Sequence, residues 1–579
     1  MAASRHKADV LIIGAGGSGL RAAIAAQENG ANVIVVSKSL LGKAHTIMAE
    51  GGIAAAIGSS DARDDWKTHF HDTMFGGKYL NNWKMALYHA QEAPKEIENL
   101  ERWGAVFDRT DQGGILQRNF GGHTYKRLVQ VGDRTGLELI RTLQDAAVAH
   151  GITVFAEHTV TTLLRQDDAI VGAVGYDREK GEVVVWEAPA VIIATGGIGR
   201  IFSVTSNSWE GTADGLALAF RAGAELMDME FVQFHPTGMV WPPSVRGLLV
   251  TEGVRGEGGL LTNSKGERFM ERYDPKRMEL STRDVVARSI YTEVQEGRGS
   301  PHGGAFLSIA HKPADFIKAK LPSMYMQFKE FADVDITKEP MEVYPTTHYM
   351  MGGIRVDAET EATNVPGLYA CGEASSGMHG ANRLGGNSLS DLLVFGARAG
   401  AAAAKYAKDA PRRGEVSDSV IAEAERDMLA PFQNTGDNPF AVQEQLQNMM
   451  MTEVGVYRSE QKLAEALAAI RGMRERAGNA RATGTLQYNP GWHAAIDLKN
   501  MTLVAETIAT HALMRKESRG AHTRVDFPKT SEELEKVNVV SRLVGGKIEA
   551  TFVNREAMPD ELAELAKGET VVHTTVQQA

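Results

Sequence analysis

Two features near the start of the chain can do chemistry. The stretch Asp9 to Gly19, DVLIIGAGGSG, sets Gly14, Gly16 and Gly19 in the spacing G-x-G-x-x-G directly after an apolar strand. In that spacing the first glycine makes a tight turn, the second lets the backbone approach a pyrophosphate, and the third lets helix and strand pack closely. The second feature is His45, in the loop KAHTIMAEGG beyond the next strand. A dinucleotide fingerprint usually ends that strand near an Asp or Glu that holds a ribose. Here it ends in Ser37 and Lys38, which counts against ordinary NAD binding. Cys371 is the only cysteine, so this chain alone can form no disulfide, no Cys-x-x-Cys redox pair and no iron–sulfur cluster of four cysteines. Any electron relay beyond one organic cofactor must lie in another chain.

The elements that must position these groups follow from pattern. LRAAIAAQENG has small and aliphatic residues at helical spacing and stops at Gly30, and NVIVVS returns as a strand. The helix N-terminus then faces the phosphates. VVVWEAPAVIIATGGIGR, Val183 to Arg200, reads as a strand, a turn and a second buried strand ending at Thr195, Gly196 and Gly197. NVPGLYACGEAS, Asn364 to Ser375, adds another turn, strand and glycine to the same nucleotide-binding domain. Between them, from about His235 to Tyr344, lie HPTG, TEGVRGEGG, NSKGERFMERY and STRDVVARS, as expected of an insertion that forms a lid over a cofactor. From Asn387, NSLSDLLVFGARAGAAAAKYAKD is a long helix whose first N–H groups follow a glycine pair and can meet an electron-rich cofactor oxygen. Glu415 to Ala480 and Ala494 to Lys516 read as a helical domain, with Met449 to Met451 as core filling. After Arg524, VVSRLV and KIEATFV form a hairpin across Gly545 and Gly546.

The 579 residues suffice for several domains, and 43% hydrophobic with 23% charged residues is ordinary globular composition. A net charge of -11 argues against nucleic acid and against direct binding to anionic lipid. The short stretch before Asp9 leaves no room for a targeting peptide, and no apolar run reaches the ~20 residues of a membrane helix, so the chain is expected in the cytosol of a prokaryote. The 60 glycines gather in short motifs, which suits backbone laid against a large cofactor.

HTIMAEGG, ATGGIGR, QFHPTG, TEGVRGEGG, GERFMERY, STRDVVARS, THYMMGGI, GLYACGEAS, HGANRLGGNSL and ESRGAHTR occur in this order over nearly the whole chain. Together they resemble the flavoprotein subunit of succinate dehydrogenases and fumarate reductases, the respiratory complex II family. The resemblance implies an α/β protein: a Rossmann-like FAD-binding domain (1–234 and 346–412) with an inserted α+β capping domain (235–345), then a helical domain (413–524) and a small C-terminal domain (525–579). It implies FAD joined covalently to His45, since the family's histidine before Thr in this loop bonds the 8α carbon of the flavin. Such a bond makes the flavin more oxidising, as a poor reductant like succinate requires. Ser37 and Lys38 resemble the family's usual sequence after the second strand. The implied cofactor contacts are Gly14, Ala15, Gly16, Gly17, Ser18 and Gly19; Ser37, Lys38, His45, Thr46, Ala49, Gly51 and Gly52; and Thr195, Asp214, Glu373, Ser388 and Leu389.

For the substrate, the family's pattern points to Phe120, His235, Thr251, His348 and Arg383, which suit a four-carbon dicarboxylate because Arg383 can grip a carboxylate bidentately. Arg283 resembles the family's proton-transferring arginine, with Arg255 and Glu252 as its relay. The implied activity is interconversion of succinate and fumarate, with electrons passed to an iron–sulfur subunit, through it to membrane anchor subunits and quinone, at the cytoplasmic side of the bacterial membrane. AEGG in the flavin loop resembles fumarate reductases more, while the active-site residues serve both directions. A soluble flavin oxidase such as L-aspartate oxidase shares the fold and many motifs; His45 and the LGGN of Leu384 to Asn387 favour the respiratory reading.

Overall fold

A computed structural model describes residues 3–410 and 416–568. β1 (Val10–Ile13) runs into α1 (Gly17–Glu28), and the chain returns as β2 (Val33–Val36). α2 (Trp66–Gly76), α3 (Trp83–Arg102), β3 (Thr153–Phe155) and β4 (Ala190–Ile193) follow. β5 (Val232–Met239) leads into an insertion that holds α4 (Arg283–Glu293) and α5 (Pro322–Ala332) and closes on β6 (Met341–Met350). β7 (Leu368–Ala370) and α6 (Asn387–Asp409) bring the chain back.

The nucleotide-binding sheet is parallel, in the order β7-β4-β1-β2-β3. Val10, Ile12, Val33 and Val35 pack with Ile24 of α1 and Leu393 of α6. Their chain neighbours Leu11, Ile13, Ile34 and Val36 pack on the other face, in a core that reaches Val504 and Ile508 of the helical domain. Side chains alternate along a strand, so an unbroken apolar run is what a sheet covered on both faces requires. Each such buried side chain contributes about 1.5–3 kcal/mol. α1 and α6 meet closely: a Cβ at Gly400 would lie 2.2 Å from the Ala22 carbonyl oxygen. Any side chain there would push the two helices apart.

A second sheet joins Ser4–Lys7, Val183–Glu187, Ala169–Asp177 and His158–Gln166. The stretch Val183 to Ile193 therefore supplies one strand to each of two sheets. The insertion has a core of its own, including Leu261, Val286, Leu307, Phe328 and Val343. β5 and β6 pair antiparallel, with register shifts at Gln233/Phe234 and between His235 and Gly238. This pair crosses both expected capping-domain borders, 234/235 and 345/346, so the insertion joins the rest of the chain through sheet hydrogen bonds.

Beyond α6, helices Asp418–Leu429, Pro439–Glu453, Glu460–Gly478 and Pro490–Met514 form the helical part. Met450 is buried in its core, with Met449 and Met451 packed against it. Strands Val537–Val544 and Lys547–Asn554 pair as a hairpin turning at Gly545 and Gly546. The fold is α/β, a Rossmann-like domain with an inserted α+β cap, followed by helical and small C-terminal parts. The expected border at 412/413, the helical start at Glu415 and the last residues, 569–579, lie outside the described residues.

Candidate active site

One cavity is lined both by the glycine turn and by the insertion. Gly14 has φ +114°, and a Cβ there would stand 2.2 Å from the Ala194 carbonyl oxygen. A Cβ at Gly19 would stand 1.9 Å from the Gly14 carbonyl oxygen. These two glycines let β1, β4 and α1 close on one another, which sets the first turn of α1 at the cavity wall. That turn has no side-chain cap at Gly16, and its Gly17 N–H donates to Thr46 Oγ1 at 3.1 Å. Gly14, Ala15, Gly16, Gly17 and Ser18 line the cavity, as do Ser37, Lys38, His45, Thr46, Ala49, Gly51, Gly52, Thr195, Asp214, Glu373, Ser388 and Leu389. Gly19 is not in the wall; it packs behind the turn.

The donor set fits a large polar cofactor such as FAD. The Thr195 hydroxyl, at the end of β4, is buried without a partner among the described residues, and the first turn of α1 offers N–H groups to phosphate. Lys38 and Asp214, by contrast, spend their charges on each other. Lys38 Nζ donates to Asp214 and Thr212 at 3.0 Å and to Asp497 at 2.7 Å, and Asn500 also donates to Asp214. Burial opposes the Lys38 charge, but Asp214 and Asp497 outweigh it and hold its ammonium above the ordinary value. This pair ties the loop after β2 to the helical part. Glu373 accepts from the Met350 N–H at 3.0 Å, and burial pushes its carboxyl up to about 7.

His45 is held neutral: burial, then Arg200 and Arg383, push its imidazole down to about 4. The Ser208 N–H lies 3.3 Å from its Nδ1, and Asn207 Nδ2 lies 3.1 Å from its Nε2. A neutral imidazole has one lone pair in the ring plane, so these two donors compete for it.

At the insertion end, Arg283 at the start of α4 donates from Nε to Glu252 at 2.9 Å. Glu252 also accepts from the Gly121 N–H at 2.9 Å; burial opposes its charge, but Arg283 and Arg255 outweigh it and hold the carboxyl below its usual range. Arg255 stands behind Glu252, outside the cavity wall, at 3.7 Å. The inner link of the expected relay is thus a hydrogen bond, and the outer link is an ion pair beyond hydrogen-bond reach. Arg383 lies over the Tyr349 ring at 4.3 Å and donates to Ser388 Oγ at 2.9 Å. Burial, then Arg283, lowers it to about 9. His235 and His348 face each other with ring centroids 5.1 Å apart. Burial first, then neighbouring arginines for His235 and the His235 ring with those arginines for His348, keeps both well below the ordinary imidazole value. Phe120 and Thr251 are buried in the same wall.

Gln233 was not among the expected site residues. Its Oε1 accepts from Arg383 at 3.0 Å and from Arg283 at 3.3 Å, and its Nε2 donates to Asn382 and to the Arg383 carbonyl. The available signal was its place two residues before His235 in QFHPTG, since i and i+2 share a strand face. Asn207, which contacts both His45 and the His348 carbonyl, carries no motif of its own.

A family model described as FAD binding domain matches residues 9–389, and one described as fumarate reductase flavoprotein C-term matches residues 443–566. The chain is 40% identical over 542 residues to the succinate dehydrogenase flavoprotein subunit of Coxiella burnetii, covering 90% of this chain and 92% of that one. It is 45% identical over 556 residues to a chain of the fumarate reductase (CoM/CoB) of Methanothermobacter marburgensis, covering 96% and 100%. Mycobacterium smegmatis Sdh1, solved in complex with UQ1, aligns with a TM-score of 0.87 at 54% identity, over 96% of this chain and 95% of that one. With the glycine turn, the histidine loop and the arginine pair lining one cavity, these matches carry a single conclusion: the chain belongs to the succinate dehydrogenase and fumarate reductase flavoprotein family.

Proposed function

We propose that this chain oxidises succinate to fumarate, or runs the reverse, as the catalytic subunit of a membrane-associated succinate:quinone oxidoreductase. The observation that carries the reading is the Arg283–Glu252 pair beside Arg383, in the same cavity as the glycine turn and His45. Succinate must lose a hydride from one methylene carbon and a proton from the other. FAD, when bound, supplies the hydride acceptor. Arg383, His235, His348 and Thr251 bind and orient the two carboxylates, and Phe120 excludes water from the bond that becomes the alkene.

Arg283 relays the proton: as its guanidinium receives one from the methylene carbon, it gives another to Glu252. A free guanidinium has a pKa above about 12 and is a poor base. Here it is buried, Arg383 is its like-charged neighbour through Gln233, and Glu252 is hydrogen-bonded to take the proton onward. Arg255 is the next group out, and a small closing movement would bring it within hydrogen-bond distance of Glu252. His45 is neutral and therefore nucleophilic, which supports covalent attachment of FAD there. The nitrogen that would form the bond is the one holding the in-plane lone pair, and Ser208 at Nδ1 and Asn207 at Nε2 leave either tautomer open to it.

Relatives named for succinate dehydrogenase and for fumarate reductase leave the physiological direction open. With a single cysteine in this chain, the reading places an iron–sulfur partner next to it and membrane anchors beyond that partner, at the cytoplasmic face. Among the described residues no helix is long and apolar enough to cross a membrane. The test is to add succinate, then fumarate, to the oxidised flavin-loaded protein without oxygen. Succinate should bleach the flavin absorbance and fumarate should restore it; bleaching by L-aspartate and not by succinate would overturn the reading in favour of an L-aspartate oxidase type.

A further inference from the structure

Three buried histidines outside the cavity wall converge on the segment that starts α6. His123 Nε2 lies 2.8 Å from the Gly385 carbonyl oxygen, His69 Nε2 on α2 lies 3.0 Å from Asn387 Oδ1, and His89 Nε2 on α3 lies 2.8 Å from Ser390 Oγ. A carbonyl only accepts, so His123 Nε2 carries its hydrogen. Asn387 Nδ2 donates to Thr73 Oγ1 at 3.1 Å, which turns the amide oxygen to His69 and makes that Nε2 a donor too. Ser390 Oγ lies 3.3 Å and 3.4 Å from the Asn387 and Gly386 carbonyls, which take the hydroxyl hydrogen and leave the oxygen to accept from His89. All three Nδ1 atoms are buried and have no hydrogen-bond partner among the described residues. Burial, then Arg127 for His69 and His123 and the neighbouring histidine rings for His89, holds the three rings below the ordinary imidazole value, His123 at about 4. Each ring is therefore neutral, with one hydrogen, and that hydrogen points at the start of α6.

The segment they hold has little slack. Gly386 caps α6 at φ +85° without a side-chain bond. A Cβ at Gly385 would lie 2.5 Å from Phe120 and 3.2 Å from Arg283. Gly386, Ser388 and Leu389 line the cavity, and the Ser388 N–H has no acceptor among the described residues. A helix N-terminus stabilises negative charge through such free N–H groups, and their aim matters because stabilisation falls steeply with misalignment.

We propose that His69, His89 and His123 are positioning residues, three neutral Nε2–H donors that fix the start of α6 so that its free Ser388 N–H favours the reduced, more negative state of the flavin. The proposal rests on the reading of this cavity as the FAD site. Neutral rings suit the task, because they orient the helix start without adding a charge that would compete with Arg283 and Arg383.

The test uses the purified flavin-loaded complex. His69→Leu, His89→Leu and His123→Leu each remove one donor; His69→Gln, His89→Asn and His123→Gln keep an N–H. Flavin absorbance comes first: wild-type protein that holds no flavin would overturn the cavity reading itself. In loaded protein, spectroelectrochemical titration gives the flavin midpoint potential. The leucine variants should lose about tenfold of the preference for the reduced state, about 30 mV for a two-electron couple, and the amide variants should recover most of it. Wild-type potentials in the leucine variants would overturn the proposal while leaving the FAD site intact. A second measurement needs no variant: ¹⁵N resonances of labelled histidines in the wild-type complex should report three neutral rings protonated at Nε2 at neutral pH. Finding any of the three as imidazolium or as the Nδ1–H form would overturn it as well.

Discussion

The side-chain oxygen of Gln233 accepts from both Arg283 and Arg383, so one neutral acceptor spaces the two guanidinium groups of the active site. Two buried positive groups this close repel each other, and a carboxylate between them would cancel the charge that a dicarboxylate substrate needs. An amide oxygen lowers the repulsion and leaves the net charge in place. Gln233→Leu should therefore lower kcat/KM for succinate by about tenfold to a hundredfold, from the ~1.5–3 kcal/mol of a hydrogen bond to a charged group. Gln233→Glu should raise KM more than it lowers kcat. Steady-state kinetics on flavin-loaded variants checks both, and unchanged kcat/KM in Gln233→Leu would remove the spacing role.

His45→Ser should leave a folded protein that binds FAD without a covalent bond. Acid precipitation should then release the flavin into the supernatant, whereas wild-type flavin stays with the pellet. Succinate oxidation should fall far more than fumarate reduction, because a noncovalent flavin is a weaker oxidant. Equal losses in both directions would separate the attachment from the tuning of potential.

Arg283→Lys and Arg283→Ala should abolish turnover in both directions while dicarboxylate binding survives. Arg383 keeps its own contacts to Gln233, Ser388 and the Tyr349 ring in these variants, so one carboxylate still has its grip. Titration of the flavin absorbance with a non-reacting dicarboxylate measures the binding. Loss of binding in parallel with turnover would make Arg283 a ligand and not the proton carrier.

Buried histidines should make the stability fall as the solution is acidified. His45 and His123 are lowered from 6.5 to about 4 in the folded chain. Below the unfolded value the unfolded chain binds more protons, so stability contributed by the neutral rings is full above about pH 6.5 and is lost as pH falls toward 4. Each ring should cost about 2 kcal/mol at pH 5. Urea midpoints of the apoprotein between pH 7 and pH 5 check the slope, and His123→Gln should flatten it.

Electron exit predicts a partner. Cys371 is buried and alone, and it cannot ligate a cluster. Gently solubilised native membranes should yield this chain together with iron and acid-labile sulfide, and the separated chain should reduce artificial dyes weakly and quinone hardly at all. A homogeneous preparation of this polypeptide alone with full quinone activity would contradict the multisubunit arrangement.

Local backbone geometry was legible in the sequence. Gly14 and Gly19 mark positions where any side chain would strike backbone only a turn or a strand away. The apolar runs of β1, β2 and β4 declare a sheet covered on both faces, and the motifs singled out His45, Arg283 and Arg383, which line one cavity. These signals are readable because each is carried by a short run of neighbouring residues, even where the group that a glycine clears, as Ala194 for Gly14, lies far along the chain. The tertiary structure decided what each polar group does with its charge. Lys38 and Asp214 are both in the cavity wall, yet Asp497, from a helix far along the chain, draws them into a brace. Glu252 bonds Arg283 but stands off from Arg255, though both arginines sit in equally clear motifs. Gln233 and the three histidines behind α6 acquire their parts only when distant segments meet: an amide or imidazole has no fixed role until burial sets its proton and a neighbour sets its direction.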